Sequence, residues 1–177
     1  MALPIRKNLS EEETALFSDG TDQEESNEET QEVQVTVSVS KDGKFLNDKD
    51  GNPMAGRSIT LTGKNTYNMD DALKLAHDLY YPGGAEAGYD YHEDENGIYD
   101  GIIYKLWGYN KNDVPNIKSI LNHDTRNLGS ALSRTVQNGD ELHFFIQAQN
   151  GKDKFAFFTE TEATYTQGQE ITLKLRQ

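Results

Sequence analysis

Between residues 33 and 40, apolar and polar side chains alternate strictly. Val33, Val35, Val37 and Val39 share one parity; Gln34, Thr36, Ser38 and Ser40 share the other. Successive side chains of an extended chain point to opposite faces, so the pattern predicts a strand with one buried and one wet face, the habit of antiparallel sheets. Residues 41–44 read as a turn and 47–53 as a longer polar loop. Residues 58–62 alternate again, with Ile59 and Leu61 inward, and are expected to pair with the first strand. The period then changes. Met69, Ala72, Leu73, Ala76 and Tyr80 fall at helical spacing within 68–81. Asn68 can cap that helix, Asp70 and Asp71 suit its positive end, and Pro82-Gly83-Gly84 stops it. A sheet with one apolar face needs such a helix as its cover.

Further along, 85–100 is rich in Gly, Asp, Glu and Tyr and reads as a long loop. Residues 101–109 read as one strand. Within 114–132 the apolar clusters lack strong periodicity, and a short helix is expected near 117–121. Asn138-Gly139-Asp140 forms a turn into a strand over 141–148, with Leu142, Phe144, Ile146 and Ala148 on one face. Asn150-Gly151 is a pair that tight hairpins favour, and 154–159 would return from it. The stretch 170–176 is expected as a closing edge strand. Ile171, Leu173 and Leu175 would face inward, with Thr172, Lys174 and Arg176 outward. The expected fold class is α+β, an antiparallel or mixed sheet with one main amphipathic helix packed on one face.

Charge divides the chain. The 177 residues carry a net charge of −13. Residues 1–32 hold ten acidic side chains against Arg6 and Lys7, whereas 33–177 balance to −5. Few apolar residues stand among those carboxylates. Residues 1–32 are therefore expected to be a disordered acidic segment or linker, and 33–177 the folded domain with a C-terminal hairpin extension. So acidic a chain is a poor partner for nucleic acid, whose phosphates call for clustered Lys and Arg. No apolar run approaches the roughly 18 residues of a spanning helix, so no membrane insertion is expected. Cysteine is absent, which excludes disulfides and thiolate metal sites. No secretory leader pattern stands at residues 1–8; a secreted chain with its signal removed and a cytoplasmic chain would both read this way.

Candidate chemistry is sparse. His77, His92, His123 and His143 show no metal-like spacing, and His77 and His143 read as surface or boundary residues. The stretch 48–52 begins like a calcium loop, but Pro53 replaces the required glycine and Ile59 the bidentate Glu, so a polar turn is expected. Asp90, Glu93, Asp94, Glu95 and Asp100 form an acidic cluster whose oxygens could hold calcium weakly. No nucleophile elbow, phosphate-binding loop or dinucleotide fingerprint is present, and the reading is non-enzymatic. The most informative feature is aromatic. Tyr89, Tyr91, Tyr104, Trp107 and Tyr109 cluster in sequence, and such rings combine a flat apolar face with a polar tip. They are the expected contact surface for a protein, glycan or small-molecule ligand.

The order of these motifs resembles the transcobalamin-like C-terminal domain family of β-grasp modules. The matching pieces are the alternating strand 33–40, the helix start Met69-Asp70-Asp71-Ala72-Leu73, the aromatic run Leu106-Trp107-Gly108-Tyr109-Asn110, and the turn and strand 138–145. Two departures stand out: the link 114–136 is long, and 152–176 is additional. The resemblance implies a β-grasp-like fold and a secreted or cell-surface setting in Gram-positive bacteria. With the aromatic cluster, the expected function is a non-enzymatic binding module; the alternatives are a cobalamin or corrinoid carrier, which the resemblance implies, and a structural pilus or adhesin domain, which the run Phe158-Thr159-Glu160-Thr161-Glu162-Ala163 resembles. The larger helical domain that helps the carriers hold cobalamin has no counterpart in this sequence.

Overall fold

The computed structural model describes residues 30–92, 101–125, 132–148, 155–158, 164, 166–168, 170 and 172–176. The expected disordered segment lies almost wholly outside them. Its last three residues do not: Thr30 is described, and Gln31 and Glu32 open the first strand.

Strand β1, Gln31–Lys41, is the spine of the sheet. The four valines of its core parity are each at most 3% exposed, and burying each contributes roughly 1.5–3 kcal/mol. At Asp42 and Gly43 the chain turns through positive φ, 50° and 72°, and β2, Lys44–Phe45, runs back along β1. Strand β3, Arg57–Lys64, pairs antiparallel with an earlier stretch of the same β1 edge. The opposite β1 edge pairs in parallel with a strand from late in the chain.

Between them, β4 (Tyr67–Asn68) leads into helix α1, Met69–Tyr80. Its start is a capping box: Asn68 Oδ1 accepts the Asp71 N–H at 2.9 Å, and Asp71 Oδ2 accepts the Asn68 N–H at 3.1 Å. Met69, Ala72, Leu73, Ala76 and His77 are buried on its inner face against β1 and β3. Beyond the expected stop a short helix α2, Gly84–Gly88, folds back on α1. Strand β5, Asp90–His92, follows.

The stretch read as one strand over 101–109 is a hairpin. Strand β6, Ile102–Leu106, pairs with β5 and with β7, Tyr109–Asn110. It breaks because Trp107 adopts φ 50°. After a 3₁₀ turn at Lys111–Asp113, the expected helix near 117–121 is instead strand β8, Ile117–Leu121. Strand β9, Thr135–Val136, pairs with β4. Strand β10, Glu141–Ile146, then enters the centre of the sheet, parallel to β1 and antiparallel to β8. The sheet is therefore mixed, and one main helix covers its apolar face. Last come β11, Phe157–Phe158, and β12, Leu175–Arg176, paired antiparallel with each other. Leu173 and Leu175 are 42% and 56% exposed, so the expected inward face of this segment is solvent-facing. The Asn150-Gly151 turn and Ile171 lie outside the described residues.

Candidate functional site

The five aromatic residues predicted as one contact surface do not form one. Trp107 and Tyr89 are 5% and 7% exposed and belong to the core. The Trp107 ring packs against His77 at 4.7 Å and edge-on to Tyr81 at 5.3 Å between centroids. Its Nε1–H donates to the Asn47 carbonyl at 2.8 Å. The Tyr89 hydroxyl donates to Asp70, and burial pushes that phenol up, reinforced by the same carboxylate. Tyr91 is half-buried against the core. Only Tyr104 and Tyr109 are exposed, at 40% and 38%. Lys111 lies over the first ring and Lys41 over the second.

His77 also departs from its boundary reading: it is fully buried. Nδ1 lies 2.8 Å from the Leu73 carbonyl, and Nε2 accepts the Trp107 N–H at 3.1 Å. Those partners fix a neutral imidazole protonated on Nδ1. Burial pushes its pKa down to about 4, against the raising pull of the Leu73 carbonyl. With both nitrogens occupied inside the core, His77 holds structure together. The 48–52 loop is the expected polar turn. Asp48 Oδ1 accepts the N–H groups of Asp50 and Asn52 at 2.9 and 2.8 Å, and Arg57 lies 3.3 Å away. Burial alone would raise that carboxyl, but these donors and the Arg57 charge hold it below its usual range. Of the proposed calcium ligands, Glu93, Asp94 and Asp100 lie outside the described residues, as does Glu95; Asp90 pairs with His92 Nε2 at 3.0 Å.

A second constellation lies on the sheet face away from α1. Register places Thr36, Ser38 and Ser40 of β1, Glu141, His143 and Phe145 of β10, and Lys118 and Ile120 of β8 on that face. Phe155 and Phe157 lean over it. Phe155 sits 6.2 Å from Phe145 and 5.1 Å from His143 between ring centroids. Phe157 stacks on His123 at 4.4 Å with planes 5° apart. Ser38, Ser40, Phe45, His143, Phe145 and Phe157 line a groove of about 330 Å³ here. Phe45 is 52% exposed at its rim.

At one end of the groove three side chains converge. His123 Nε2 lies 3.0 Å from Glu141 Oε2, and His143 Nε2 lies 3.8 Å from the same oxygen. One donor atom from each of the three falls within 4.8 Å of the others. Burial lowers the His143 pKa and the neighbouring His123 adds to this, opposed by the Glu141 charge. Sequence spacing concealed the group, since His123 and His143 are far apart in the chain. The readable signal was Glu141-x-His143 on an alternating strand, which puts both side chains on one face.

No helix of the described residues is long and apolar enough to cross a membrane. Compared with family models and with curated proteins, the sequence matches none.

Proposed function

We propose that this protein is a non-enzymatic binding module on a β-grasp-like scaffold, and that its ligand enters the groove on the outer face of the sheet. The scaffold reading is supported by strand order. A parallel pair, β1 and β10, sits at the centre; β3 and β8 flank it antiparallel, and α1 crosses one face. The motif resemblance agrees, and with it comes the proposal of a secreted or cell-surface setting.

The groove carries the functional reading. Its size is at the small end of ligand pockets, and its wall is phenylalanine with a few polar atoms, the usual make-up of a small-molecule site. Ser38 Oγ accepts the Gly56 N–H at 2.8 Å, and a hydroxyl that accepts one bond can also donate one. A net charge of −13 disfavours anions. The ligand class that fits is a neutral or cationic small molecule with one flat apolar ring and a hydrogen-bonding edge.

The test is saturation-transfer NMR of the full chain with a panel of neutral and cationic mono- and bicyclic aromatic compounds, cobalamin included. Saturable binding that Phe157→Ala and Phe45→Ser each weaken at least about tenfold, and that Tyr104→Ala and Tyr109→Ala leave unchanged, is expected. Binding lost in the two tyrosine variants instead would return the site to the β6–β7 hairpin, and no saturable binding at all would end the reading.

A further inference from the structure

We propose that His123, Glu141 and His143 form a binding site for a borderline divalent transition-metal ion of the zinc class. The proposal stands on geometry independent of what occupies the groove. Glu141 and His143 are two apart on β10, so their side chains leave the same face. His123 comes from the turn after β8, whose register pairs Leu121 with Leu142 and so delivers the turn beside Glu141.

That turn is held in an unusual shape. Asn122 and His123 have φ of 50° and 59°, a left-handed conformation that costs a non-glycine residue roughly 1–3 kcal/mol and persists only when its surroundings impose it. Asn122 supplies the restraint. Its N–H donates to the Glu141 carbonyl at 2.9 Å, its Oδ1 accepts the Glu141 N–H at 2.8 Å, and its Nδ2 donates to Asp140 Oδ1 at 2.6 Å. The strained turn thus brings the imidazole of His123 over the carboxylate of Glu141.

The donor set is chemically coherent. Both imidazoles turn Nε2 toward one carboxylate oxygen, and His143 Nε2 is buried with no hydrogen-bond partner among the described residues. An orphaned nitrogen of this kind is costly unless something fills its lone pair. Imidazole with carboxylate suits zinc, cobalt, nickel or copper rather than calcium or magnesium, which prefer oxygen alone. Tetrahedral ligands stand roughly 3.3 Å apart around an ion bonded at about 2.0–2.1 Å. The present spacings of 3.0 Å and 3.8 Å bracket that value, and with all three donor atoms within 4.8 Å of one another, rotamer shifts on the order of 1 Å close the set. Phe157 and Phe155 fix the planes of the two rings. All three ligand side chains stay between 22% and 39% exposed, which leaves an entry path and at least one coordination position for water.

The experiment is titration of the full chain with Co²⁺ in the presence of excess Ca²⁺, added to compete for exposed carboxylates. Visible d–d bands of a four- or five-coordinate cobalt saturating at one ion per chain, and displaced by Zn²⁺, are expected. Glu141→Gln and His143→Ala should each weaken the ion at least about tenfold. The double variant His123→Ala/His143→Ala should abolish the bands, and His92→Ala should leave them intact. Amide NMR spectra of the variants establish that the sheet remains folded. In the wild type, histidine ring signals of residues 123 and 143 should broaden in parallel with the bands. No saturable bands in the wild type, or bands that survive the double variant, would overturn the proposal.

Discussion

The backbone N–H of Trp107 donates to Nε2 of His77 at 3.1 Å, joining two residues thirty apart in sequence. This bond fastens the last turn of α1 to the turn between β6 and β7, and it explains how a tryptophan is held at φ 50°. Replacing His77 by Leu leaves that N–H buried without its acceptor, a loss of about 1–3 kcal/mol. Urea denaturation at pH 7.5 measures it, and a midpoint unchanged from wild type would contradict the role.

The same residue sets an acid limit. Its pKa is pushed down to about 4 in the fold, against about 6.5 in the open chain. The unfolded state therefore takes up a proton first, so the full contribution holds above pH 6.5 and is lost as pH falls toward 4. The loss is about 1.4 kcal/mol per pH unit across that window. The nearby charge of Asp78 works the other way and is already included in the lowered value. His143, also lowered, and Asp48, whose contribution fades only below about pH 4, stay in both proteins. Subtracting the His77→Leu stability curve from that of the wild type isolates the His77 part. A difference that stays flat between pH 6.5 and 4 would refute the assignment.

Gly108 follows Trp107 with φ 79°, and a Cβ there would meet the Tyr81 hydroxyl at 2.2 Å. The tyrosine can shift its far end, so backbone conformation supplies most of the cost. Gly108→Ala is expected to destabilise by about 1–2 kcal/mol, read by thermal melting.

The capping box at α1 is a separable contribution. Asn68→Ala removes the acceptor for the Asp71 N–H and should cost about 1 kcal/mol. Asn68→Ser should recover most of it, because a serine oxygen reaches the same N–H. Equal stability for the two variants would show the cap to be dispensable.

Asn122→Ala should release the turn that carries His123. It leaves the Glu141 N–H without its acceptor and keeps the positive-φ strain, for a combined loss of about 1–3 kcal/mol. The His123 ring signals should move in NMR spectra as the ring leaves its stack on Phe157. Unmoved signals would mean that something other than Asn122 positions the imidazole.

Elements governed by one-dimensional periodicity were legible in the sequence. The valine parity of β1, the helical spacing of α1 with its Asn68 cap, and the alternation of Leu142, Phe144 and Ile146 all emerge at the expected places. Misreadings have tertiary causes. Ile117, Ile120 and Leu121 stand at helical spacing, yet β8 is a strand. Ile120 points to the outer face, where it is nonetheless fully buried, so the usual alternation is masked. The run 101–109 breaks at Trp107 because His77 and Asn47, distant in sequence, hold its backbone and its indole. His123 meets Glu141 only through the β8–β10 register and a left-handed turn at two non-glycine residues. Aromatic abundance in 89–109 marked the right region for packing, but the largest rings went to the core.

The proposed ligand groove and metal site share the outer face of the β1–β10–β8 sheet, away from the β6–β7 hairpin. Amide chemical-shift mapping of the isotope-labelled full chain against the aromatic panel and Zn²⁺ tests this directly. Perturbations are expected at residues 36–40, 118–123, 141–146 and 155–157, with Tyr104 and Tyr109 silent. Perturbations concentrated at 104–109 while β10 stays unmoved would contradict it.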